Sequence, residues 1–275
     1  MKTSNPVLSR LGQAAERERQ AGYGAYGPTG TPGYGQPYPT APGYPAAPPA
    51  VQPMSIDDVV VKTVTLLGLT GIAAIAAWAL VPDAYTGAAW IGAALVGLVL
   101  GLVISFSRIA NPALTVTYAV VEGVFVGMVS KAYQVVFGYD GIVLQAVIAT
   151  FGVFFLMAAL YRARVIRATP RFTRGLIAVM AGLFFVMLVN LVLSLFGVQT
   201  GLRDNGPLGY LFSLICIVVA ALSFIVDFDR IEQAVRVGLP QRYSWTCAFG
   251  ILVGLIWLYL EILRLLSYLQ GGSRD

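Results

Sequence analysis

Four acidic residues stand where acids are costly: Glu122, Asp227, Asp229 and Glu261. Glu122 lies in Tyr118-Ala119-Val120-Val121-Glu122-Gly123, with apolar or small residues on both sides. Glu261 lies in Leu258-Tyr259-Leu260-Glu261-Ile262-Leu263-Arg264, in an apolar stretch that runs back to Thr246. Asp227 and Asp229 close a third stretch, in Ser223-Phe224-Ile225-Val226-Asp227-Phe228-Asp229-Arg230. An ionisable side chain at the centre of a membrane span costs about 2.5–3.5 kcal/mol on insertion scales, and is tolerated when paired, protonated or facing water.

Each acid has a structural use and a functional one. Glu122 is either a structural acid bonded to another helix or a pathway acid. Asp227 and Asp229 are about 200° apart on a helix and so face different directions. For at least one of them the structural reading is simple solvation at the interface, where Arg230 is a candidate ion-pair partner; Asp227, like Glu122, is a candidate pathway or structural acid. Glu261 either pairs with Arg264 at i,i+3 or meets a carboxyl group from another helix. Two close carboxyls share a proton. Such a pair holds a cation when ionised and closes when protonated.

Other chemistry is excluded by what the chain lacks. It contains no histidine, which removes the Ser–His–Asp triad, the His-ligated zinc and the imidazole switch. Cys216 and Cys247 are 31 residues apart inside apolar runs, without CxxC spacing; both read as inert, with no disulfide framework. Neither a GxGD-type sequence nor a nucleophile elbow surrounds the acids. No enzymatic activity and no cofactor are expected.

These residues are positioned by apolar segments. The chain has 275 residues, 57% apolar and 11% charged, against about 25% charged in ordinary soluble domains. Seven stretches are long enough for a hydrocarbon core that takes roughly 20 helical residues. They are Val59–Val81, Ala88–Phe106, Ala113–Phe137, Gly141–Tyr161, Gly175–Phe196, Leu208–Val226 and Thr246–Leu269. Their length and their richness in Ala, Leu and Gly predict helices, since barrel strands run about 10 residues with polar alternation. The predicted fold is an all-α integral membrane bundle of seven transmembrane helices. Gly97 and Gly101 form a GxxxG in the second span, which allows close helix approach.

Residues 1–53 differ. Ten of the 15 prolines lie there, among Gly, Tyr, Ala and Gln. Such a segment cannot bury enough apolar surface to offset its chain entropy. It reads as a disordered tail without the apolar core of a signal peptide, ahead of a membrane domain at 54–275.

Charge sets the expected orientation. With a cytoplasmic N-terminus, 14 of the 18 basic residues fall inside and four outside: Lys131, Arg203, Arg264 and Arg274. The positive-inside rule favours this arrangement, with the 162–174 loop as main anchor and the C-terminus outside. The basic residues follow topology and not one helix face, so no nucleic-acid partner is expected. The excess of Arg over Lys, with abundant Ala and Gly, suggests a bacterial source.

The chain resembles the bacterial branch of the Bax inhibitor-1 family, also called the transmembrane Bax inhibitor motif family, and within it the subgroup with a Tyr/Gly/Pro-rich leader. The resemblance rests on Ser4-Asn5-Pro6-Val7, Asp57-Asp58-Val59-Val60-Val61-Lys62-Thr63, and Asn111-Pro112-Ala113-Leu114 through Glu122-Gly123. It rests above all on Asp227-Phe228-Asp229-Arg230-Ile231-Glu232 and Trp257-Leu258-Tyr259-Leu260-Glu261-Ile262-Leu263-Arg264-Leu265-Leu266. It covers about residues 54–270 and implies a seven-helix fold around a central last helix, in the inner (plasma) membrane. It also implies a pH-sensitive Ca²⁺ leak gated by two acids, responsive to H⁺. Asp229 matches the first of these acids and Glu261 stands at the site of the second, together a weak, transient Ca²⁺ site. Some bacterial relatives are linked instead to regulation of a membrane protease, which makes a non-transporting regulator of a protease or stress response the alternative. Twenty-one helical steps separate Leu208 from Asp229, about 31 Å. Contact with Glu261 therefore requires a tilted sixth helix, or a seventh placed further toward the cytoplasm.

Overall fold

A computed structural model describes residues 52–107, 109–198, 200–204 and 206–271. The tail expected at residues 1–53 lies outside them, apart from Gln52 and Pro53. Seven helices are long and apolar enough to cross a membrane: α1 (Ile56–Leu80), α2 (Thr86–Phe106), α3 (Pro112–Lys131), α4 (Ile142–Arg162), α5 (Pro170–Leu195), α6 (Pro207–Arg236) and α7 (Ser244–Gly271). The fold is all-helical and membrane-spanning.

Helix starts follow local chemistry. Ser55 and Asp58 form a reciprocal capping box at α1, which satisfies two otherwise orphan donors. Asn111 and Thr169 cap α3 and α5 through their side chains, each followed by Pro at the first helical position, where the missing N–H costs nothing. Three boundaries depart from the hydropathy pattern. Helix α6 runs ten residues past Val226 because Asp229–Gln233 and Glu232–Arg236 pairs at i,i+4 carry it beyond the apolar run. Helix α5 starts five residues early, at Pro170, and takes Arg171 and Arg174 into its first two turns. Helix α3 stops at Lys131 and passes into a π-helical turn, Ala132–Val136.

Helix α7 is the centre, packed against α1, α3, α4 and α6. Leu252, Leu258 and Leu263 are fully buried on it; a helix apolar on all sides takes the middle of a bundle. Helices α1 and α3 pack closest. A Cβ on Gly123 would fall 2.5 Å from the Thr70 carbonyl oxygen, and one on Gly127 2.5 Å from that of Ala74. Helix α5 is peripheral, packs chiefly on α6 and buries only Leu176.

The helices alternate in direction, so the bundle has two ends. The basic end holds the start of α1, the arginine-bearing 162–174 segment and the α6–α7 link. There the Met54 amide donates to the Leu239 carbonyl (2.7 Å) and the Gln241 amide to that of Gln52 (2.9 Å). Lys62 reaches across to the Ser244 hydroxyl and lies over the Trp245 ring. The far end holds Lys131, whose ammonium donates to the Trp78 and Val81 carbonyls (3.2 and 2.6 Å) and meets Asp83 at 2.8 Å.

Candidate functional site

Glu122 of α3 and Asp227 of α6 line one cavity of about 680 Å³, between α2, α3, α5, α6 and α7. Helix α3 brings Glu122 in from the side, about 15 Å along from Pro112, and leaves it 9% exposed. Tyr118, one turn earlier on the same wall, lies beside its carboxylate and packs edge-on against Phe249 of α7. Room for both comes from the GxxxG of α2. A Cβ on Gly97 would fall 2.7 Å from Glu122 Oε1, and one on Gly101 3.3 Å from the Tyr118 ring. Gly250 and Gly254 of α7 complete the lining, and a Cβ on Gly254 would fall 3.0 Å from the Phe224 ring of α6. Asp227 is half-buried, and Arg230 lies one turn on, at the exposed rim. Two carboxyls and one guanidinium thus face a partly apolar space, with a net negative charge when both acids are ionised.

Asp229 points elsewhere. It is half-buried at the basic end, where Gln233 Nε2 donates to its Oδ2 at 2.5 Å. It does not line the cavity, as expected for a residue about 200° around the helix from Asp227.

Glu261 sits at the far end, 2% exposed. Arg264 Nη1 donates to both its oxygens, at 2.8 and 2.9 Å. Ser213 of α6 donates at 3.5 Å, and Arg203 Nη2 lies 3.9 Å away. Burial, then the neighbouring Arg264 charge, pull the Arg203 guanidinium below its ordinary pKa, and the Glu261 carboxylate pushes it back up. Tyrosines frame the group: Tyr210 donates to the Tyr268 carbonyl and Tyr268 to that of Arg203.

The expected Asp229–Glu261 pair is therefore not formed. Ser213, at the level of Glu261, and Asp229 belong to one unbroken helix and are 16 residues apart, about 24 Å. Two arginines answer the Glu261 charge locally, which is the i,i+3 alternative extended by Arg203. The weak Ca²⁺ site assigned to Asp229 and Glu261 falls with the pair. Among the described residues no group of three or more acids or cysteines is placed to hold a metal ion. Cys216 and Cys247 are both free thiols.

Two features escaped the sequence reading. The ion pair of Lys131 with Asp83 joins residues in separate turns, and nothing in their spacing signals it. The second small-residue motif, Gly123-xxx-Gly127, was legible as a pattern. It sits on the Glu122 helix and sets the α1–α3 distance.

A family model described as Bax inhibitor 1 like matches residues 5–271, through all seven helices. No curated protein matches the chain.

Proposed function

This chain belongs to the Bax inhibitor 1 like family, and on that premise we propose that it is a passive, proton-dependent cation leak in a bacterial inner membrane. Glu122 and Asp227 are its working acids, and no covalent chemistry is involved. The observation that carries the reading is their convergence, from different helices, on one cavity. Ionised, the two carboxylates offer hard oxygen donors that suit Ca²⁺ held weakly and in passing; protonated, they lose that attraction. The 14-to-4 split of basic residues supports a cytoplasmic N-terminus, an orientation in which Asp227 would lie nearer the cytoplasmic side than Glu122. The Glu261–Arg264–Arg203 group closes the far end as a fixed ionic cluster.

The test is Ca²⁺ flux into liposomes across a pH series. Flux should fall as pH is lowered, and Asp227→Asn or Glu122→Gln should flatten the profile. Asp229→Asn should leave it unchanged. A profile insensitive to both cavity variants overturns the assignment.

The peripheral position of α5 favours a second reading, a regulator that docks a membrane protease or another membrane protein along this nearly unburied helix. Substitution of exposed α5 residues outside the cavity lining, such as Phe185 and Leu191, would then abolish co-purification of the partner without altering flux.

A further inference from the structure

Three charged residues line the cavity of about 680 Å³: Glu122, Asp227 and Arg230. The rest of the lining is uncharged and mostly apolar. Arg230 lies within electrostatic range of Asp227 and answers it at the rim. Glu122 is 9% exposed and makes no ion pair among the described residues. Two carboxylates and one guanidinium leave one negative charge, and Glu122 is where it stands unanswered.

The depth of that charge and the place of the mouth bear on what can reach it. Glu122 lies about 15 Å along α3 from Pro112, near the middle of a hydrocarbon core about 30 Å thick. Helix α2 packs chiefly on α3, and α5 chiefly on α6, so the two stand apart on either side of the cavity. Leu98 and Leu102 of α2 and Ile177 and Phe184 of α5 line the cavity and are also exposed. On spanning helices such exposure faces hydrocarbon, so the mouth between α2 and α5 opens sideways into the bilayer. Sites for small organic ligands run about 300–1,000 Å³, apolar and aromatic with a few placed polar groups. This cavity has that size and that make-up. Tyr118, Phe249 and Trp257 add aromatic rings to its inner wall, and such rings attract cations.

We propose that the cavity binds a lipophilic organic monocation, an amphipathic amine or a phosphonium, taken up sideways from the bilayer between α2 and α5. Its charge meets the Glu122 carboxylate. Its apolar body lies against Leu176 and Met180 of α5 and Val253 of α7. The site shares Glu122 with the leak reading, but it rests on the lining and not on flux.

Scintillation proximity with tritiated tetraphenylphosphonium tests it, on the full chain in nanodiscs of dioleoylphosphatidylcholine. Wild type should bind one ion per chain, saturably, above the uptake of empty nanodiscs. Glu122→Gln should weaken binding roughly tenfold or more, the effect of about 1.4 kcal/mol. Ala181→Trp, which fills the space from the α5 side, should do the same. Val99→Trp, on the exposed face of α2 and outside the lining, should not. In separate samples tetraphenylphosphonium should raise the melting temperature of wild type, and tetraphenylborate, of the same shape and opposite charge, should not. Uptake equal to that of empty nanodiscs overturns the site, as does an affinity that either cavity variant leaves intact. Equal stabilisation by the borate means apolar filling only and overturns it too. Ca²⁺ flux without phosphonium binding overturns this inference and spares the leak; binding without flux does the reverse.

Discussion

Gly97 and Glu122 face each other so closely that a methyl group on the glycine would stand 2.7 Å from the carboxylate Oε1. The carboxylate occupies the space of a missing side chain, and α2 holds it against the cavity. Gly97→Ala should therefore displace Glu122 and lower flux. The two positions should also couple: Gly97→Ala combined with Glu122→Ala should depart from additivity by about 0.5–3 kcal/mol in a double-mutant cycle. Denaturant titration in detergent reads the coupling, and strict additivity would refute the contact.

Gly127→Leu should be far more damaging than its chemistry suggests. Its Cβ would meet the Ala74 backbone, at 2.5 Å from the carbonyl oxygen, and no flexible side chain is there to give way. Overpacking costs about 1–3 kcal/mol even where neighbours adjust. Gly152→Ala, with nothing within 4 Å, should gain about 0.5–1 kcal/mol from helix propensity alone. Melting temperatures of the two variants should move in opposite directions.

Glu261→Gln should cost about 3–5 kcal/mol, because it leaves Arg264 facing a neutral partner in a buried setting. Replacing Glu261 and Arg264 together by methionine should cost much less, since apolar pairs of similar volume often substitute for buried ion pairs. Neither change touches the acid-lined cavity, so surviving protein should keep its pH profile of flux. A lost profile in folded Glu261→Gln would return this residue to the gate.

Asp83 and Lys131 are unequal partners. Asp83 is 66% exposed and Lys131 8%. Asp83→Asn should cost at most about 1 kcal/mol, as for exposed ion pairs, because the ammonium keeps the Trp78 and Val81 carbonyls. Lys131→Met removes the donor to both carbonyls at the end of α1 and should destabilise more. Equal losses in the two variants would mean that the ion pair, and not the carbonyl capping, fastens this corner.

Seven helices were legible from apolar length alone, because lipid demands it of every span. What hydropathy could not read was where charged residues continue a helix. The α6 extension past Val226 rests on the pairing of Asp229 with Gln233 and of Glu232 with Arg236, which is local and polar. The acids divide in the same way. Glu122 stood out by its apolar neighbours as an acid with either a structural or a pathway role, and the structure encloses it in the wall of a cavity. The pairing of Asp229 with Glu261 depended on which ends of two antiparallel helices meet. Asp227, two residues earlier, faces the cavity because of helical phase, which sequence offers but does not anchor. The Arg203 contribution to Glu261 comes from a loop with no periodic signal.

The order of the helices along the chain bears on assembly. Helix α7, around which α1, α3, α4 and α6 are arranged, is synthesised after all of them, and the hydrogen bonds between residues 52–54 and the α6–α7 link join positions more than 180 residues apart. The four helices that pack on α7 must therefore wait in the bilayer with their inner faces unfilled, lined with lipid or with insertion machinery, until it arrives. Contacts of such wide sequence separation make for slow, late consolidation, and a nascent protein interrupted before α7 would present its apolar interior to degradation.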